Sequence, residues 1–71
     1  MDILNCMEAK FVVKRRNPES LLIEYFMFEQ NEWGSLEEAT IFDAKYMADD
    51  CKLRLHRNGI KCSVKRIDKP R

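Results

Sequence analysis

Seventy-one residues with two glycines, two prolines, 45% apolar and 35% charged side chains are enough for one small folded domain, residues 1–71. That composition excludes a disordered tail, a collagen-like repeat and a Gly/Ser linker, and the longest apolar run, the four residues Tyr25–Phe28, is far short of the roughly 20 a membrane-spanning helix needs. The formal net charge of +1 hides an uneven distribution of −1 over residues 1–30, −5 over 31–50 and +7 over 51–71, so the acidic and basic parts either face each other in the fold or serve different partners.

Residues 1–8 are weakly patterned and read as a lead-in. Lys10–Arg16 (KFVVKRR) is rich in β-formers and predicts a strand with Phe11 and Val13 on one face and Lys10, Val12, Lys14 and Arg16 on the other. Asn17-Pro18-Glu19-Ser20 predicts a turn, since proline presets its own φ and asparagine tolerates turn geometry. Leu21–Glu29 (LLIEYFMFE) is then the second strand of a hairpin. Its odd positions, Leu21, Ile23, Tyr25 and Met27, are apolar or amphipathic, whereas Glu24 interrupts the even set of Leu22, Phe26 and Phe28. The odd set is therefore expected in the core beneath a helix. Phe26 and Phe28 are expected on the outer sheet face, where two large aromatics call for a partner.

Gln30–Glu38 predicts a loop around Trp33-Gly34. Two readings compete for the next segment. Ser35-Leu36-Glu37-Glu38 fits a capping box that would open one long helix at Leu36. The preferred reading takes the β-prone Thr40-Ile41-Phe42 as part of a short third strand, Ala39–Phe42, and makes Asp43 the N-cap of a helix over Ala44–Asn58. Ala44, Met47, Ala48, Cys51 and Leu55 form the apolar stripe of that helix, and Gly59 marks its left-handed end. Ile60–Ile67 (IKCSVKRI) alternates, with Ile60, Cys62 and Val64 inward and Lys61, Ser63 and Lys65 outward, before a basic tail, Asp68–Arg71. The expected fold is α+β: a two-layer sandwich of order β-β-(short β)-α-β, with an antiparallel sheet of three to four strands and one helix on one face.

Trp33, Ala39, Phe42, Ala48, Leu55 and Gly59, followed by Ile60–Ile67, form a recognisable line. The stretch ATIFDAKYMADDCKLRLHRNGIKCSVKRI resembles small phage- and prophage-encoded proteins in which a hairpin precedes an Ala-x-x-Phe segment, one helix and a final strand. Several anti-CRISPR proteins and other phage inhibitors of host machinery look like this. The resemblance covers roughly residues 10–67 and implies a ββαβ sandwich with no catalytic site.

Tests for chemistry along the chain fail one after another. His56 is the only histidine and no C-x-x-C pair exists, so no metal and no cofactor are expected. Ser20, Ser35 and Ser63 lack a G-x-S-x-G elbow, and the adjacent Asp49 and Asp50 diverge by about 100° on a helix and cannot act as a pair. The three cysteines are an odd number without close spacing, which points to a reducing, cytoplasmic setting with Cys51 and Cys62 as small buried hydrophobes. Met1–Cys6 has neither a basic start nor a long apolar stretch, so no signal peptide is expected.

The leading expectation is a non-enzymatic protein-binding inhibitor or adaptor, phage-like, that occludes a site on a host or defence protein; a CRISPR effector complex as the target is what the resemblance implies. Its expected contact residues are Lys14, Arg16, Phe26, Phe28, Lys61 and Lys65 on the outer sheet face. The alternative is a small nucleic-acid-binding module, because aromatics interleaved with Lys and Arg on a sheet stack bases and track phosphates. A homodimer built through Phe26 and Phe28 is the third reading, and no membrane partner is expected.

Overall fold

The β-branched and aromatic run of KFVVKRR builds the longest strand, β1 (Met7–Arg16), at the centre of a four-stranded antiparallel sheet. The computed structural model describes residues 7–70, and the side chains over 8–68. β1 is followed by β2 (Ile23–Met27), β3 (Glu32–Gly34), a 3-10 turn (Leu36–Glu38), α1 (Lys45–Arg57) and β4 (Ser63–Pro70), with strand order β3-β2-β1-β4. The α+β architecture with one helix on the sheet is as expected. Of the expected lead-in, residues 1–6 lie outside the described residues, while Met7 and Glu8 belong to β1; Asp68–Pro70 of the expected tail belong to β4.

β1 and β4 pair from Met7↔Pro70 to Lys14↔Ser63. β1 and β2 pair only from Lys14↔Tyr25 to Arg16↔Ile23 and then diverge. The segment after the 3-10 turn enters that gap. Thr40 N–H donates to the Phe26 carbonyl (3.0 Å), Thr40 Oγ1 accepts from Phe28 N–H (2.7 Å), and Phe11 and Phe42 exchange a pair of backbone hydrogen bonds (2.9 and 2.8 Å). The strand expected over Ala39–Phe42 is thus reduced to one bridge, Phe11↔Phe42. The third strand is instead Glu32-Trp33-Gly34, inside the expected loop.

The pleat of β2 is the reverse of the expected one. Tyr25 sits opposite Lys14, so it shares the outer face with the cations of β1, and alternation turns Phe26 towards α1. Phe26 is buried with Val13, Phe42, Ala48, Cys51 and Leu55, and Phe11, Trp33, Ile60, Cys62 and Val64 pack around this cluster. Glu24 misled the reading because its charge is compensated by a strand neighbour. Arg15 Nη2 lies 3.0 Å from Glu24 Oε1, Asn17 Nδ2 donates to Glu24 Oε2, and the Arg15 guanidinium stacks 4.6 Å from the Trp33 ring centre.

The capping-box residues are real but open only the single 3-10 turn: the Glu38 carboxylate accepts from Ser35 N–H and Ser35 Oγ. The Gly34 backbone approaches this turn closely, and a Cβ there would lie 2.8 Å from Glu38 Oε1 and 2.9 Å from Met27 Cε. α1 begins at Lys45 after Ala44, not after an Asp43 cap, because the Asp43 carboxylate is engaged by Lys10 Nζ at 2.8 Å. At the other end the expected left-handed glycine is present. Gly59 has φ +82°, Gly59 N–H donates to His56 O and Ile60 N–H to Leu55 O, a Schellman closure with Ile60 following Leu55 into the core. β4 starts at Ser63, three residues later than expected, while Ile60, Cys62 and Val64 keep their inward placement.

One residue of the hairpin turn is strained. Leu21 has φ +63°, in a region that costs an L side chain about 1–2 kcal/mol, and its own side chain is exposed. Leu21→Asn is expected to raise stability by up to about 1 kcal/mol, read as a higher urea midpoint at unchanged slope.

Among the described residues, three groups titrate late. Burial pushes the Cys51 and Cys62 thiols above their ordinary 9.0, and hydrogen bonds to Asp43 and then Glu8 hold Lys10 above its ordinary 10.5. In each case the unfolded chain releases its proton first. The contribution of the thiols is therefore full below pH 9.0 and that of Lys10 below pH 10.5, and each is lost as pH rises towards the folded-state value. The free energy of unfolding is expected to be level up to about pH 9 and to fall above it. Peptide mapping after brief iodoacetamide treatment at about pH 8 should find Cys51 unmodified until denaturant is added.

Candidate protein-binding surface

Of the six residues expected to make contact, four gather on one side. Lys14 and Lys65 lie on the outer sheet face, Lys14 opposite Tyr25 and Ser63, and Lys65 opposite Val12. Arg16 ends β1 opposite Ile23, and Lys61 lies beside it around a hollow of about 290 Å³ that Arg15, Pro18 and Gly59 also line. Among the described residues none of these four cations has a carboxylate within ion-pair distance, whereas Lys10 on the same face is held by Glu8 (3.1 Å) and Asp43 (2.8 Å).

The two aromatics do not join them. Phe26 is core, with its ring centre 5.1 Å from that of Trp33, and cannot meet a partner. Phe28 is 46% exposed but stands on the α1 side, just past the end of β2. The aromatic that does share the outer face with Lys14 is Tyr25, partly buried.

Phe28 belongs to a different surface. It lines an open groove of about 400 Å³ between α1 and the 40–42 segment, together with Ile41, Phe42, Tyr46, Met47 and Cys51. Asp43, Asp50 and Arg54 supply its charged margin. Phe28, Ile41, Tyr46 and Met47 are all exposed. The cause is local: Thr40 is bonded to both Phe26 and Phe28, so the 40–42 backbone lies against the sheet and leaves the Ile41 side chain outward. On α1, the fully covered stripe is Ala48, Cys51 and Leu55, and Met47, expected in that stripe, falls at its edge. Sequence reasoning missed Ile41, Tyr46 and Met47 as surface residues. The available signal was the excess of large apolar side chains near the start of α1 over what one sheet face can cover.

A second apolar surface lies at the hairpin tip, where Leu21, Leu22 and Ile23 are exposed in succession. Their loop is pinned: Asn17 N–H donates to Leu22 O and Leu21 N–H to Asn17 O, both at 2.8 Å, while Asn17 Oδ1 accepts from Glu19 and Ser20 N–H. His56, exposed on α1 as expected, donates from Nε2 to the Cys62 carbonyl at 3.0 Å and so ties the helix end to the approach of β4.

Among the described residues no three His, Cys, Asp or Glu side chains are grouped to hold a metal ion, and no helix is long and apolar enough to cross a membrane. Compared with known proteins, the chain matches no family model, no curated protein and no solved structure.

Proposed function

We propose that this domain is a non-enzymatic protein-binding module, an inhibitor or adaptor that seats its α1 groove on another polypeptide and so covers a site there. The observation that carries the reading is the cluster of four exposed apolar side chains, Phe28, Ile41, Tyr46 and Met47, around one groove. Monomeric proteins rarely leave such a patch uncovered, and aromatic and methionine side chains concentrate binding energy at interfaces. The class of target, a host or defence assembly such as a CRISPR effector complex, rests on the phage-protein resemblance alone.

A second reading, a nucleic-acid-binding face, is favoured by one observation: Lys14, Arg16, Lys61 and Lys65 gather without carboxylate partners among the described residues. It is weakened by the burial of Phe26 and the placement of Phe28, which leave only Tyr25 for base stacking.

Photocross-linking separates the two. A photoreactive side chain at Met47 is expected to give discrete protein adducts in cells, lost when Tyr46 is also changed to aspartate. The same probe at Lys65 is expected to give none. Nuclease-sensitive adducts from position 65, with none from position 47, would overturn the groove reading in favour of the second.

A further inference from the structure

The groove and the hairpin tip are complementary. Resting on the reading of the α1 groove as a protein-binding surface, we infer that its occupant is the hairpin tip of a second copy of this chain, in a head-to-tail contact. The tip presents three aliphatic side chains in a row, with Leu21 62%, Leu22 66% and Ile23 43% exposed, and its backbone is already fixed by the hydrogen bonds of Asn17. A preformed tip loses little conformational freedom on docking. The groove offers Phe28, Ile41 and Met47 around a volume of about 400 Å³, within the range that accepts inserted side chains.

Charge agrees with shape. Beside the tip stand Arg16, opposite Ile23, and Lys61, neither with a carboxylate partner among the described residues. The margin of the groove carries Asp43, which Lys10 engages, and Asp50, which has no cation within ion-pair distance among the described residues. Glu19 on the turn and Arg54 on the groove are the opposing charges. The unlike pairing brings the unpartnered Arg16 and Lys61 of one copy to the unpartnered Asp50 of the other, whereas pairing tip with tip would set Arg16 and Lys61 against their own copies.

Within one molecule the two surfaces cannot meet. The turn that carries the tip borders, through Pro18, the hollow of Arg16 and Gly59 at the C-terminal end of α1, whereas the groove starts at Asp43 ahead of the helix's first turn. Each docking event therefore leaves one tip and one groove free, the condition for open-ended growth.

Sedimentation of the full chain over a range of concentrations tests this. Wild type is expected to grow beyond the monomer mass, less so at high salt. Leu22→Asp, which spoils the tip, and Met47→Asp, which spoils the groove, are each expected to be monomeric with an unchanged circular dichroism spectrum. Mixed in equal amounts they should form a dimer that does not grow, because one supplies the intact groove and the other the intact tip. Wild type that stays monomeric, or variants that stay apart when mixed while wild type assembles, would overturn the inference. In that event, protein adducts from position 47 of a size other than this chain's would leave the groove reading standing with a foreign partner. Association unaffected by Met47→Asp, together with position-47 adducts unaffected by Tyr46→Asp, would remove the groove reading as well.

Discussion

Phe26→Ala is expected to remove a large share of the domain's stability. Phe26 is 4% exposed, lies in the buried cluster with Val13, Phe42 and Leu55, and meets the Trp33 ring at 5.1 Å. Removing a buried phenylalanine side chain costs about 3–5 kcal/mol. A domain of this length holds about 4–11 kcal/mol in all. The loss therefore takes about a quarter of the total at best, and all of it at worst. Trp33 then loses its ring neighbour, and with it β3, a strand of three residues, loses its main anchor. Phe28→Ala, two residues along on a half-exposed side chain, is expected to cost less than about 1 kcal/mol. Urea unfolding followed by Trp33 fluorescence measures both. Equal costs, or a larger cost at Phe28, would contradict the pleat of β2.

Leu55→Ala carries the second-largest expected loss, about 2–5 kcal/mol. Leu55 is the last buried residue of α1, at 6% exposure, and its carbonyl accepts the Ile60 N–H of the Schellman closure. Truncating it empties the core beneath the helix end and loosens the Gly59 turn. The His56–Cys62 hydrogen bond depends on that turn, so the approach to β4 should loosen too. Leu53→Ala, on the exposed side of the same helix, is expected to change stability by no more than about 0.5 kcal/mol. Hydrogen exchange should show faster exchange at the Ile60 and Gly59 amides in the Leu55 variant and not in the Leu53 variant.

The parts legible in the sequence were those decided by neighbouring residues. The pleat of KFVVKRR, the stripe Ala48-Cys51-Leu55, the glycine that ends α1 and the inward set Ile60, Cys62 and Val64 all follow from local spacing and capping chemistry. What could not be read depends on partners distant along the chain. Both faces of LLIEYFMFE are apolar enough to be core, and the single charge used to choose between them, Glu24, is matched by Arg15 across the hairpin. Glu32-Trp33-Gly34 has no strand signature of its own and is extended because it pairs with Tyr25–Met27. Asp43 looked like a cap because a cap is the local use for such a residue, and Lys10, more than thirty positions earlier, claims it instead. The basic half of the expected surface was recovered because its cations alternate along strands. The apolar half was misplaced with the pleat, and the groove residues came from a backbone path that only the hydrogen bonds of Thr40 reveal.

The long ladder between β1 and β4 sets a hazard for the newly made chain. Phe11-Val12-Val13 is a sticky, strand-ready run whose mates, Val64–Arg66, are synthesised near the other end of the described residues. Contacts this remote in sequence close slowly, and an uncovered run of this kind invites pairing between nascent molecules. Lys10 on one side and Lys14-Arg15-Arg16 on the other bracket it with like charges that repel a neighbouring polysome product. Lys14 and Arg16, which mark the mature surface, thus also serve as gatekeepers during synthesis, and neutralising these two should cost yield of intact material before it costs stability.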